Sequence, residues 1–239
     1  MTTIQYRNPL PGGWMAIAMT LAILAFSASG AVAAGRTAMP VDEGANDPSF
    51  AQYRAKLLEA VIARDVDGVI AGTSTDVQLS FGGHAGHEDL RGFLTLSEAD
   101  LADEYKHEAA SRREGYWDGL EEVLRMGGRF TRPGVFEAPY TWTVKLGDDD
   151  DAFTTRFVIG SDVALRSRPS RFGDVVATLD HTIVTALEGG EGTAFVEVKV
   201  PDGVTGFVER SRLRSAVDYR AIFEKRGGKW QLVTFVAGD

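Results

Sequence analysis

Tyr219-Arg-Ala-Ile-Phe-Glu-Lys-Arg-Gly-Gly-Lys-Trp-Gln-Leu-Val-Thr-Phe-Val236 closes the chain as two apolar, β-prone runs around Arg226-Gly227-Gly228-Lys229. Adjacent glycines accept positive φ at no steric cost, and a two-residue hairpin turn requires that, so these runs predict a β-hairpin. The architecture depends on where this hairpin pairs. It lies beyond a strand-rich region that already holds enough β-structure to close on itself, so it can join that region or reach back to an earlier strand.

The region upstream, from about residue 153 to 216, consists of short β-branched runs separated by Gly or Asp turns. These are Phe157-Val158-Ile159, Asp162 to Arg166, Val175 to Leu179, Thr182 to Leu187, Phe195 to Val200 and Gly206-Phe207-Val208. Five or six strands in about sixty residues predict a small barrel.

Further back, the pattern is mixed. Asp47-Pro48 has the form of an N-cap followed by proline in the first turn. Phe50, Tyr53, Leu57, Leu58, Val61 and Ile62 then recur at helical spacing. Asp65 caps a predicted short helix ending at Gly72. Val77-Gln78-Leu79-Ser80-Phe81 alternates as a half-buried strand, stopped by Gly82-Gly83. Ser97 is the expected cap of a helical region running to Met126, broken or kinked near Gly115 and terminated by Gly127-Gly128. Val135 to Val144 is expected to be extended. Asp148 to Asp151 reads as a solvated turn, since it lacks the alternating ligands, central glycine and terminal glutamate of a calcium loop.

Two resemblances follow from these residues. Val158-Ile-Gly-Ser-Asp-Val-Ala-Leu-Arg-Ser-Arg-Pro-Ser170, then Phe195-Val-Glu-Val-Lys-Val-Pro-Asp-Gly-Val-Thr-Gly-Phe-Val208, resemble the two halves of bacterial SH3-type domains, and Arg212-Leu213-Arg214 resembles their closing turn and strand. Ala164 replaces the usual Asn, and Phe195 and Phe207 replace the usual Trp residues. Phenylalanine keeps the packing surface and loses the indole N–H. Ala63-Arg-Asp-Val-Asp67, Thr75-Asp-Val-Gln-Leu-Ser-Phe-Gly-Gly83 and the closing hairpin resemble the ketosteroid-isomerase-like cone fold of the nuclear-transport-factor-2 superfamily. The whole is similar to uncharacterised exported SH3-domain proteins of proteobacteria. Together these imply an α+β chain. A cone-like helix-on-curved-sheet domain (45–152 plus 217–239) would carry an inserted SH3-like β-barrel (153–216), preceded by a linker (35–46).

Residues 1–34 read as an export signal. No charge occurs from Asn8 to Gly35, an apolar stretch runs from Trp14 to Phe26, and Ala31-Val32-Ala33 supplies a small-residue cleavage site. An uncleaved anchor in the inner membrane is the alternative, because Trp14 to Ala34 approaches a spanning length. The expected location is periplasmic or secreted, with no membrane contact beyond the signal. The 239 residues carry 25 Lys+Arg against 34 Asp+Glu, a net charge of −9, which argues against a nucleic-acid partner. No cysteine is present, so disulfides and thiol chemistry are excluded.

No convergent catalytic set is legible. There is no nucleophile elbow, no phosphate-cradling loop and no dinucleotide fingerprint, so neither a cofactor nor a metal is expected. His84 and His87 lie beside Glu88 and Asp89, too few ligands for a metal site. Glu104 and His107 lie on a charged helix face. The ligand-binding candidates are Arg166, Arg168 and Arg171, whose guanidinium groups suit carboxylates, together with Phe195 and Phe207. Tyr140, Trp142 and His84 are candidates for a cone pocket, and Phe235 either lines that pocket or fills it. The expected function is non-catalytic binding of a peptide, cell-wall material or an envelope protein through the SH3-like barrel. The alternative is a small-molecule-binding protein or enzyme using the cone pocket.

Overall fold

The computed structural model describes residues 36–187 and 192–238. The expected export segment and the 188–191 turn lie outside the described residues. Among the described residues no helix is long and apolar enough to cross a membrane.

The described residues form a mixed α+β structure with four α-helices and two sheets. Helix α1 (Pro48–Ile62) begins where the Asp47 carboxylate accepts from the backbone N–H of Ser49 and Phe50. Helix α2 (Val66–Ala71) is capped by Asp65 through the N–H of Gly68. Strand β1 (Thr73–Gln78) follows, then α3 (Gly86–Thr95), α4 (Ala109–Arg125), β2 (Arg129–Arg132) and β3 (Val135–Ala138). The second region contains β4 (Thr155–Val158), β5 (Val163–Arg166), β6 (Val175–Leu179), β7 (Ile183–Ala186), β8 (Phe195–Lys199), β9 (Thr205–Glu209) and β10 (Leu213–Ser215). The chain closes with β11 (Arg220–Arg226) and β12 (Lys229–Val236).

The closing hairpin forms where the glycine pair predicts it, with φ of 57° at Gly227 and 81° at Gly228. It reaches back across the second region. β12 pairs in parallel with β1, and β11 pairs antiparallel with β3, giving the order β1-β12-β11-β3-β2. Helices α1, α3 and α4 bury Phe50, Leu57, Leu90, Leu94, Trp117 and Leu120 against the inner face of this sheet.

Residues 155–215 form a separate antiparallel sheet, β10-β4-β7-β8-β9-β5-β6. Val163, Leu165, Leu179, Val198 and Val208 make its own core. A small barrel was expected here, and no closed barrel is shown: among the described residues β10 and β6 are sheet edges that no hydrogen bonds join. A third cluster, Ala38, Tyr140, Phe157 and Ile183, packs at the junction of the two regions.

Four local expectations are corrected. The first strand lies at Thr73–Gln78 instead of Val77–Phe81, because the Ser80 hydroxyl accepts from the N–H of Gly82 and His84 and turns the chain there. Ser97 caps a single 3-10 turn through a reciprocal bond with Asp100, and α4 starts only at Ala109. The apolar positions needed to hold a helix against the core are too sparse before that point. The helix then continues unbroken through Gly115. After Ala138 the chain leaves the sheet for a 3-10 turn, Tyr140–Thr143, closed by the Thr143 hydroxyl donating to the Tyr140 carbonyl. Residues 36–46 are not a loose linker. Ala38 N–H donates to the His181 carbonyl, Glu43 N–H donates to the Gly128 carbonyl, and Asp42 forms a two-pronged ion pair with Arg54.

Candidate functional site

The site builds up from β5. Val163 and Leu165 point into the core, so Ala164 and Arg166 point outward. Arg166 lies opposite Phe207 on β9, and Phe195 on β8 lies opposite Glu209. Opposed residues of a ladder share a face. One outer surface therefore carries Arg166, Phe207, Glu197, Glu209 and Phe195. Arg171 joins it from the β5–β6 loop, with its Nε 3.0 Å from Glu209 Oε1. Five of the residues named from the sequence, Arg166, Arg168, Arg171, Phe195 and Phe207, thus belong to one hairpin and the two strands beside it.

The loop that carries the arginines is tightly self-bonded. Ser167 N–H donates to the Asp174 carbonyl and Gly173 N–H to the Ser170 carbonyl. Phe172 N–H donates to the Ser170 hydroxyl. The side chains contribute as well: Arg166 donates to the Gly173 carbonyl at 2.9 Å and Arg168 to the Phe172 carbonyl at 2.9 Å. A side chain at Gly173 would meet the Arg168 carbonyl at 2.9 Å. Both Arg166 and Arg168 therefore spend donors on neutral carbonyls, and among the described residues neither has a carboxylate within ion-pair distance.

This self-bonded loop holds Phe172 at its tip with 87% of its surface exposed, close in sequence to the exposed Val175 and Val176. On the other flank of β5, a cavity of about 180 Å³ is bordered by Ser161, Asp162, Arg166, Glu209 and Arg212. Phe172, Ser161 and Arg212 were not legible as site residues in the sequence. An aromatic residue in a turn reads as an ordinary core contact until its exposure is known.

The pocket candidates do not converge. Tyr140 is buried at the junction of the two regions, where burial pushes its phenol above the usual range. Trp142 is partly exposed and stacks on the Arg220 guanidinium, whose carbon lies 4.2 Å from the ring centre. The His84 side chain is 59% exposed, with Nδ1 3.4 Å from Asp89 Oδ2. His87 Nε2 sits 3.1 Å from the Thr73 carbonyl, and Glu88 is exposed.

Aromatic rings occupy the space between the helices and the first sheet. Phe50 packs on Phe136 at 4.2 Å and on Phe223 and Trp230, while Phe235 is fully buried between Tyr116 and Tyr219. Among the described residues no group of three His, Asp or Glu side chains is placed to hold a metal ion.

No protein-family profile matches the sequence, and no curated protein matches it. Two solved structures are weakly similar. One is a protein of unknown function with a cystatin-like fold from Nostoc punctiforme PCC 73102. It is 12% identical with a TM-score of 0.23, over 79% of this chain and 86% of that one. The other is a putative calcium/calmodulin-dependent protein kinase II association domain from Xanthomonas campestris. It is 13% identical with a TM-score of 0.23, over 79% of this chain and 82% of that one.

Proposed function

We propose that this chain is an exported, non-catalytic binding protein of the bacterial cell envelope. In this reading a cone-like unit, residues 45–152 plus 217–239, carries an SH3-like module, residues 153–216, and the module takes a peptide, a cell-wall component or a protein partner. The observation that carries it is the β5–β6 loop. Its own hydrogen bonds fix it, it presents a nearly bare aromatic ring, and it places two guanidinium groups without carboxylate partners among the described residues, on a chain of net charge −9. Binding energy at protein surfaces concentrates on aromatic and arginine anchors, and a preformed loop loses little entropy on binding. The interior of the cone-like unit supports no comparable ligand role, because Phe50, Phe136, Phe223 and Phe235 fill it.

The test is retention of the purified chain on cell-wall sacculi and on immobilised periplasmic extract, compared with its Phe172→Ala and Arg168→Ala variants. The reading expects retention of the wild type and a loss of at least fivefold in each variant. Equal retention of all three, or none of the wild type, contradicts it.

A further inference from the structure

We infer that the free edge of β6 receives an extended segment of a partner protein as an added strand, with an acidic residue of that segment set beside Arg168. The inference rests on the binding reading above and specifies its mode. β6 ends the seven-stranded sheet, and among the described residues its only ladder partner is β5. Among the described residues no backbone group of Val175–Leu179 bonds to any other element. Half of its N–H and C=O groups therefore face outward as a template for pairing.

Soluble proteins commonly blunt such an edge with lysine, proline or an inward charge. Here the five residues are Val175, Val176, Ala177, Thr178 and Leu179, with no lysine, proline or inward charge among them, and a bulge at Val176 is the one interruption of the edge. Val175 and Val176 are 53% and 43% exposed, and Phe172 extends the apolar strip beyond the strand. The ladder also shifts register between Leu165, which pairs with Ala177, and Arg166, which pairs with Val175, so Val176 is an extra, bulged residue of β6.

Charge selects the occupant. The stretch from Arg166 to Asp174 holds three arginines against one aspartate; Arg171 is paired with Glu209, which leaves Arg166 and Arg168 without a carboxylate partner among the described residues. A second copy of this chain fits badly. Two-fold antiparallel pairing centred on Ala177 would set Asp174 of one copy against Asp180 of the other, and like charges directly opposed across a ladder are destabilising. An apolar strand with an acidic end meets Val175, Val176 and Arg168 without that conflict.

The probe is a synthetic octapeptide alternating valine and threonine and ending in two aspartates, added to the full chain and followed by amide hydrogen exchange. The expected result is at least tenfold slower exchange within Val175–Leu179. Protection should be absent with the same peptide methylated at every backbone nitrogen, and at least fivefold weaker when its aspartates are lysines. Val176→Lys should abolish it, while Val204→Lys, at the exposed β8–β9 turn, should retain it. Protection elsewhere, or equal binding of the methylated peptide, overturns the inference. If Val176→Lys keeps wild-type retention on envelope material while Phe172→Ala loses it, strand addition fails and the binding reading stands. If the peptide adds to β6 while envelope material retains nothing, the reading fails and the edge site stands.

Discussion

Arg214 of β10 is 2% exposed and lies 2.6 Å from the Glu122 carboxylate of α4, joining the seven-stranded sheet to the helical layer of the other region. The same guanidinium donates to the Tyr219 carbonyl and lies 3.8 Å from Asp218, at the point where the chain returns to the first sheet. A cation buried this deeply needs its partners, whereas Glu122 is half exposed and water can solvate it alone.

The pair is therefore asymmetric. Glu122→Gln strands the buried cation and is expected to cost about 2 kcal/mol, below the ~3–5 kcal/mol of a pair buried on both sides, since Asp218 stays close. Arg214→Met should cost less, because the freed carboxylate returns to water. Urea denaturation midpoints of the two variants decide it, and a larger loss in Arg214→Met would contradict the asymmetry.

Phenylalanines in the two regions should respond very differently to truncation. Phe50 is fully buried among Phe136, Phe223 and Trp230, so Phe50→Ala should lose about 3–5 kcal/mol. Phe172→Ala removes a ring that touches little of its own chain and should stay within about 0.5 kcal/mol of wild type. Thermal melts read both changes.

Two glycines of α4 offer a matched pair. A Cβ at Gly119 would sit 2.5 Å from the Tyr219 ring, which is stacked flat on Phe235 and has no room to retreat. Gly119→Ala should destabilise by about 1–3 kcal/mol. A Cβ at Gly115 meets nothing within 4 Å, so Gly115→Ala should gain up to about 1 kcal/mol of helix propensity. Chemical denaturation of both variants gives the signs.

Acid sensitivity has a traceable source at Asp42. The Arg54 guanidinium bonded to it holds its carboxyl below the usual aspartate range of 3.8, with the Gly44 N–H adding to the effect against partial burial. A depressed folded pKa contributes stability that is complete above the unfolded value and lost as pH falls through the folded one. The wild-type melting temperature should therefore drop below about pH 4 more steeply than that of Asp42→Asn, with a constant difference above pH 5. Parallel profiles across the acid range would exclude this assignment.

The architecture was legible where the chain states its own turns. Gly227-Gly228 marks the hairpin, Asp47 and Asp65 mark two helix starts, and alternation marks β5, β8 and β9. Legibility ended where side chains bond their own backbone. Ser80 and Thr143 divert segments whose apolar pattern alone reads as strand, and Ser97 with Asp100 closes a single turn where a longer helix was expected. The parallel pairing of β12 with β1 is a long-range contact that no local pattern encodes. At the site, residue type pointed to the arginines and to Phe195 and Phe207, because guanidinium chemistry is visible in sequence. Phe172 was missed because its exposure depends on how the loop bonds to itself. Trp142 and Tyr140 do not face a common pocket because both lie in the 3-10 turn that was read as strand.

The most direct measurement is photocrosslinking in the intact cell envelope, with a photoreactive amino acid placed at position 172 of the β5–β6 loop or at position 81 of the first region, where Phe81 is also exposed. A binding module acting through its loop predicts a defined adduct from position 172 and none from position 81. Adducts from position 81 alone would move the function to the other region and contradict the account.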